Sequence, residues 1–367
     1  MSTRPLTVLH VEAGQHLYGG ARQVLYLIEG LRARGVRNVL ACPAGSAIAM
    51  AATDVADRVA PLAMGGDTDL GLIRRLRRLM RAVRPDVVHL HSRRGADLLG
   101  GIAARLEGLP VVLSRRVDNP EPRAWVALKY RLYHRVITIS EGIRQVLLGE
   151  GVPTHKLVCV RSAVDAAAFR HACDAAWFRN AFDLEENARV LAVIAQLIPR
   201  KGHRHLLAAL PAILEREPRT RVLLFGQGPL RETLAREISE RGFDGKVRLA
   251  GFRDDLPRIL PCLDLVVHPA DMEGLGVSLM QAAAAGVPIV ASRAGGIPEV
   301  VRDGDNGLLV PPGDPAALAD AVIALLADPD RARAMGEAGH AFAARELSID
   351  AMVEGNLAVY RVLLEGT

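Results

Sequence analysis

Short runs of consecutive Val, Ile and Leu, each followed by a longer segment of helical period, recur along this chain, break off, and then start again. Strands that are apolar on both faces belong in a parallel sheet covered by helices on both sides, so the pattern predicts an α/β architecture. In the first half the expected strands are 6–11, 36–42, 87–90, 111–114, 136–139 and 157–160, with helices over 21–34, 70–83 and 141–149. A less regular stretch, roughly 162–187, follows. Strands are then expected at 190–195, 222–225, 247–249, 265–268, 289–291 and 307–310, and the tail from Pro315 to Leu364 reads as three consecutive helices. A chain of 367 residues exceeds one ordinary core. The reading is two separately wound domains, 1–165 and 166–367, with the last helix a candidate to pack back on the first. Ligands of open sheets sit at the carboxyl ends of strands, so an inter-domain cleft is the expected site.

Composition and punctuation exclude several alternatives. Aromatic residues are only 4% of the chain, too few for stacking platforms, and no recognised nucleic-acid module is present, so no nucleic-acid partner is expected. The turn after the first strand, Glu12-Ala13-Gly14-Gln15-His16-Leu17-Tyr18-Gly19-Gly20, is not G-x-G-x-x-G, which disfavours a nicotinamide-dependent dehydrogenase. Cys42, Cys159, Cys173 and Cys262 have no C-x-x-C spacing and no accompanying His cluster. They are expected as small buried thiols in a reducing compartment, without a zinc site or a disulfide. The N-terminus lacks a signal-peptide core, and no stretch approaches the roughly 20 apolar residues of a membrane span. A cytoplasmic protein is expected. Residues 1–165 carry 24 Lys and Arg against 14 Asp and Glu, whereas 166–367 carry 22 against 27. An anionic partner is therefore expected for the first half only.

The richest segment runs His268-Pro-Ala-Asp-Met-Glu273-Gly-Leu275-Gly276-Val277-Ser-Leu-Met-Gln281. A strand end, a glycine-containing loop and a helix start put free N–H groups and a positive dipole end where a diphosphate can bind. Downstream follow Gly286-Val-Pro288-Ile-Val290-Ala291, Gly295-Gly296-Ile-Pro298-Glu299 and Asp305-Asn306-Gly307. In this order the segments resemble the C-terminal domain of the retaining glycosyltransferases of family 4. That resemblance implies a GT-B fold, two Rossmann-like doubly wound parallel-sheet domains, and a metal-independent reaction that retains anomeric configuration. It implies no cofactor and no metal site, with a nucleotide diphosphate sugar as donor substrate. By the same resemblance Glu273 contacts the donor sugar, the amides of Leu275, Gly276 and Val277 hold sugar and phosphate, and Lys201 serves the diphosphate. Two positions depart from the family pattern. Gln281 stands for the glutamate that clamps the ribose, and Gln196 for an arginine whose charge Arg200 is placed to replace. Neutral amides make weaker bonds than charged groups there. Gly226, in Phe225-Gly226-Gln227-Gly228, reads equally as a tight turn or a close ligand approach, and Gly251-Phe252 matches the family's nucleobase-flanking segment.

In the first half, Gly19-Gly20 resembles the family's phosphate-abutting glycine loop, and His89-Leu90-His91 its strand ending in H-x-H. The matched residue is His91, beside the anomeric carbon and donor sugar; His89 reads as core. Ser140 reads as a helix N-cap. The helix 73–84 sets Arg74, Arg75, Arg77, Arg78, Arg81 and Arg84 around an apolar stripe, either as a solvated face or as a patch for peripheral contact with an anionic membrane. Arg93, Arg94, Arg115 and Arg116 follow strand ends and suit an anionic glycan or glycolipid acceptor. The expected function is sugar transfer to a lipopolysaccharide core or other surface-glycan intermediate, at the inner membrane face. The rivals are a GT-B sugar-nucleotide epimerase and a degenerate, non-catalytic subunit.

Overall fold

Every strand pairs in parallel with its neighbours, in two separate sheets. The computed structural model describes residues 4–17, 19–93 and 95–365; Tyr18 and Arg94, both named above, lie outside the described residues. The first sheet holds β1 (Thr7–Val11), β2 (Arg37–Pro43), β3 (Arg58–Leu62), β4 (Val87–Leu90), β5 (Val111–Arg115), β6 (Arg135–Thr138) and β7 (Leu157–Cys159), in the order β3-β2-β1-β4-β5-β6-β7. The second holds β8 (Arg189–Ile194), β9 (Thr220–Phe225), β10 (Val247–Gly251), β11 (Leu265–His268), β12 (Ile289–Ser292) and β13 (Gly307–Val310), in the order β10-β9-β8-β11-β12-β13. Each sheet is doubly wound. Strand order reverses between β1 and β4 in one, and between β8 and β11 in the other. Those switch points open the crevices where such sheets bind ligands.

The physical cause is the one visible in the sequence. Parallel strands need crossovers, the crossovers are helices, and strands such as β1, β4, β11 and β12 are buried along their whole length. In the first sheet Leu9, Val11, Val88 and Leu90 pack on one face with Leu72, Leu76 and Met80 of the helix Gly71–Val83. Val8, Val87 and Val112 pack on the other with Leu27, Val353 and Tyr360. The chain divides into two compact units. One runs up to Ala163 and resumes at Ile349; the other is Val164–Ser348. The helix Ile349–Glu365 thus belongs to the first unit, where Met352, Val353, Leu357, Tyr360 and Leu363 are buried.

Three features differ from expectation. Strand β3 was not foreseen: it is an edge strand with Pro61 and exposed residues, so it lacks the continuous apolar run of a central strand. The irregular stretch before β8 contains the helix Ala175–Phe182, capped by Asp174, whose side chain accepts from the Trp177 N–H. The expectation of four free thiols is also overturned. Cys173 and Cys262 form a disulfide across 89 residues, because the fold brings the chain ahead of that helix beside the turn ahead of β11. Cys42 and Cys159 are free.

Candidate functional site

In the second unit the loops after β8 and β11 are pressed together at the switch point. Gly202 adopts φ +67°, and a Cβ there would lie 1.8 Å from the Pro269 carbonyl oxygen. The Asp271 N–H donates to the Arg200 carbonyl at 2.9 Å. This stitching brings Lys201, on the β8 loop, against Glu273, on the β11 loop. Lys201 Nζ donates to Glu273 Oε2, His268 Nε2 sits 3.0 Å from the same oxygen, and the Gly274 N–H donates to Oε1 at 3.0 Å. Burial alone would raise the Glu273 carboxyl, but the bonds from His268 and Lys201 outweigh it and hold the group well below the usual carboxylate range. A third loop clamps the carboxylate's backbone from behind. Gly295, at φ +53°, would place a Cβ 2.0 Å from the Glu273 carbonyl oxygen, and the Gly296 N–H donates to that oxygen at 2.9 Å.

The helix Val277–Ala284 starts directly after this cluster. Its N-cap, Gly276, makes no side-chain capping bond; the Leu279 N–H donates to the Gly276 carbonyl at 3.0 Å, and the Val277 and Ser278 N–H groups before it are left for a ligand. Leu275 is buried and Val277 half-buried at the helix mouth; Gln281 lies one turn on, half-buried. Buried polar atoms without a partner among the described residues surround Lys201: both ring nitrogens of His203, and His268 Nδ1. Burial, reinforced by the charges of His268 and Lys201, lowers His203 to about 4. Gln196 is exposed just beyond β8. Gly226 packs against the Ala195 carbonyl, and its N–H donates to the Gly251 carbonyl at 2.8 Å, so it ties the ends of β8, β9 and β10 together. Phe252, 59% exposed, follows Gly251 at the end of β10, two strands from β8.

In the first unit a cavity of about 330 Å³ opens at the β1/β4 switch point, lined among others by Glu12, Gly20, His91, Ser92, Ser114 and Arg116. Arg115 and Arg116, neighbours in sequence, have opposite fates. Arg115 is buried and spent on Glu121, at 3.2 Å, in a network with Lys129 and Asp97. Arg116 makes no ion pair among the described residues, and its buried Nε has no hydrogen-bond partner. Burial lowers its pKa to about 10, with the Glu12 charge opposing the shift. Glu12 is itself raised by burial. Both arginines line the cavity, but the Arg115 charge is already paired with Glu121 while that of Arg116 is not. The exposed Arg93 stands 3.5 Å from Glu121.

His91 is 2% exposed and belongs to a buried trio with His10 and His89. Sequence reasoning missed the trio, because only the pairing of β1 with β4 sets His10 opposite His89. Among the described residues, these three rings are the group whose spacing suits a metal ion. Yet His10 Nδ1 already meets His91 Nε2 at 2.9 Å, and both nitrogens of His89 are held, by Tyr360 at 2.6 Å and Ser114 at 2.8 Å. A metal here would have to displace those bonds. The Arg-rich helix is partly neutralised: Arg77 and Arg81 pair with Glu107, and Arg75 with Asp69, which leaves Arg74, Arg78 and Arg84 exposed without a carboxylate partner among the described residues. Ser140 is an N-cap, accepting from the Ile143 N–H. Among the described residues no helix is long and apolar enough to cross a membrane.

Comparison with known proteins agrees with this geometry. Residues 18–168 match the family model described as Glycosyltransferase Family 4, and residues 176–342 match that of Glycosyl transferases group 1. The GDP-mannose-dependent alpha-(1-6)-phosphatidylinositol monomannoside mannosyltransferase of Mycolicibacterium smegmatis is 41% identical over 163 residues, 42% of this chain and 43% of that protein. The lipopolysaccharide core biosynthesis glycosyltransferase LpsE of Rhizobium meliloti is 31% identical over 175 residues, 48% of this chain and 50% of that protein. The matches thus span about half the length of these relatives. The crystal structure of HepE of Anabaena in complex with UDP and glucose superposes with a TM-score of 0.85 at 20% identity, covering 97% of this chain and 100% of that one. With two doubly wound parallel sheets of GT-B type and family models matched across most of its length, the chain belongs to the group 1, family 4 glycosyltransferases.

Proposed function

We propose that this chain is a metal-independent, retaining glycosyltransferase. The Val164–Ser348 unit would hold a nucleoside diphosphate sugar, and the first unit a hydroxylated, anionic glycan or glycolipid. The observation that carries the reading is the buried Lys201–Glu273–His268 cluster beside an uncapped helix start. Lys201, with Arg200 beside it, stabilises charge growing on the leaving diphosphate. Glu273, kept ionised, accepts hydrogen bonds from donor-sugar hydroxyls, and the amides of Leu275, Gly276 and Val277 face sugar and phosphate. Gln281 serves the ribose through neutral bonds, Gly251 and Phe252 flank the base, Gly20 serves the phosphates, and His91 serves the anomeric carbon and donor sugar. In front-face attack the acceptor oxygen bonds to the anomeric carbon as the carbon–phosphate-oxygen bond breaks. The acceptor's proton passes to the leaving phosphate, and no side-chain nucleophile is needed. Asp67-Thr68-Asp69, a D-x-D sequence, supplies no donor-metal site on this reading: Asp69 accepts from the Gly65 N–H at 2.8 Å and pairs with Arg75.

Arg116, with its unpartnered Nε, supports an acceptor bearing phosphate or carboxylate. The names of two relatives, acting on a phosphatidylinositol mannoside and in lipopolysaccharide core biosynthesis, support the same chemistry. Arg74 and Arg78 would supply peripheral contact with anionic lipid. An epimerase would need no acceptor cavity, so the 330 Å³ cavity of the first unit favours transfer. The test is a hydrolysis screen across uridine, guanosine and adenosine diphosphate sugars without acceptor. Slow hydrolysis of one donor, lost in Lys201→Ala, is expected. If no donor is hydrolysed and calorimetry detects no nucleoside diphosphate binding, the non-catalytic reading replaces this one.

A further inference from the structure

Another cavity of the first unit, of about 370 Å³, opens at the opposite edge of the sheet, where β6 and β7 begin. Arg105, Arg131, His134, Arg135, His155 and Lys156 line it, and no Asp or Glu is among its lining residues. The cations come from separate elements. Arg105 lies in the last turn of the helix Ala96–Leu106, Arg131 in the turn Tyr130–Leu132, Arg135 at the start of β6, and Lys156 in the turn Thr154–Lys156 ahead of β7. Among the described residues none of these four has a carboxylate within ion-pair reach. Gathering like charges is unfavourable. Burial, with the charges of Arg105 and Arg135, lowers the Lys156 ammonium, and burial, with Arg105, Lys156 and Arg135, lowers His134.

One contact inside this cluster sets a donor against a donor. The Val111 N–H, at the start of β5, donates to His134 Nδ1 at 2.9 Å, so that nitrogen is bare. A neutral imidazole then carries its proton on Nε2. Yet Nε2 faces Arg105 Nη1 at 2.8 Å, and a guanidinium nitrogen has no lone pair to offer. Moving the ring proton to Nδ1 only transfers the conflict to the Val111 N–H, and protonating both nitrogens creates it twice. Lys156 adds a further donor. Its Nζ donates to the Tyr130 carbonyl at 2.9 Å and the Tyr133 carbonyl at 2.8 Å, which leaves one N–H of its three.

We infer that this cavity binds a phosphate-bearing anion through His134 Nε2, Lys156 and the guanidinium groups of Arg105, Arg131 and Arg135. An anionic oxygen set against both His134 Nε2 and Arg105 gives each N–H a lone pair. His134 is half-buried and pinned by Val111, whereas Arg105 is exposed and is the side chain that can swing to make room. A halide offers the cluster a single atom, and a carboxylate two oxygens. A phosphate monoester presents three anionic oxygens to three kinds of donor, and its charge offsets the gathered cations. The same chemistry is carried by free phosphate and by the headgroup of a phosphate-ester lipid. The site uses nothing from the cavity at the strand ends, so it stands or falls apart from the transferase reading.

The test is a titration of inorganic phosphate into the ¹⁵N-histidine-labelled full chain, with sodium chloride holding the ionic strength constant. His134 is followed by long-range proton–nitrogen correlation, its resonances assigned by their loss in His134→Gln. A saturable shift of His134 Nε2 is expected. Arg105→Gln and Arg131→Gln, both at exposed positions, should each weaken the binding about three- to tenfold. Arg236→Gln, which removes the same charge from an exposed position in the other unit, should leave the curve unchanged. Sedimentation with phosphatidylcholine vesicles containing phosphatidic acid separates the two sources. Sedimentation lost in the Arg105→Gln, Arg131→Gln double variant assigns the site to a lipid headgroup; a saturable His134 shift without such a loss assigns it to a soluble phosphate. A His134 resonance that does not move, a shift that does not saturate, or a curve that Arg105→Gln and Arg131→Gln leave where it was overturns the inference.

Discussion

Lys201 is 8% exposed, and the carboxylate it pairs with is nearly as buried. Removing one partner of such a pair leaves the other charge stranded, which costs about 3–5 kcal/mol. Lys201→Met should therefore lower stability as well as activity, whereas a lysine used only for substrate would leave the melt unchanged. The pH dependence gives a second check. The folded Glu273 carboxyl is held below its unfolded value of about 4.3, so its stabilisation is complete above that value and is lost as pH falls through the folded one. In Lys201→Met the carboxyl moves back up, because only His268 and the Gly274 N–H remain. Acid unfolding followed by circular dichroism should then begin at higher pH than in the parent chain. An unchanged acid midpoint would mean that the pair contributes nothing to the fold. Arg115 and Arg116 carry the same lesson at residue scale. The sequence shows two adjacent arginines at a strand end; only the placement of Glu121 decides that one guanidinium is ion-paired and the other has no carboxylate partner among the described residues.

At the scale of loops and strands, the Gly295-Gly296 segment acts on Glu273 through backbone alone. A methyl at Gly295 would meet the Glu273 carbonyl at 2.0 Å, so Gly295→Ala must push the carboxylate loop away from Lys201. Gly304 also has positive φ, +78°, but nothing lies within 4 Å of its missing Cβ. Gly304→Ala should cost only the backbone strain of about 1 kcal/mol, with nucleoside diphosphate binding intact. Gly295→Ala should cost more and reduce that binding at least tenfold by calorimetry; equal effects in the two variants would refute the clamp. These elements were legible to different degrees. Central strands announce themselves because burial on both faces demands continuous Val, Ile and Leu, and the Glu273 loop because it joins glycines to a helix start. Strand β3 does not, being a half-exposed edge with a proline. The disulfide and the histidine trio were out of reach for another reason. Cys173 and Cys262 are 89 residues apart, and His10, His89 and Tyr360 meet only through the β1–β4 pairing and a helix that returns from the far end of the chain.

Across the whole molecule, the chain enters and leaves the second unit side by side: the Val164 N–H donates to the Leu347 carbonyl at 2.8 Å. Lys201, Glu273, Gly276 and Gln281, proposed for the donor, lie inside that closed loop. The unit also has its own core, with Leu191, Leu206, Val222, Leu265 and Val322 among its buried residues. A domain of this size buries enough surface to be stable by itself. The first unit differs, because it needs Ile349 onward to cover Val8, Leu27, Val87 and Val112. The excised segment Val164–Ser348 should thus melt cooperatively and bind the same nucleoside diphosphate as the full chain, with affinity within about tenfold, since the remaining contacts come from its own loops. A chain stopped at Ser348 should keep that binding but expose the first unit to proteolysis. If the excised segment folds yet binds no nucleotide, the donor cannot rest on Lys201 and the Val277–Ala284 helix alone, and essential nucleotide contacts must come from the first unit.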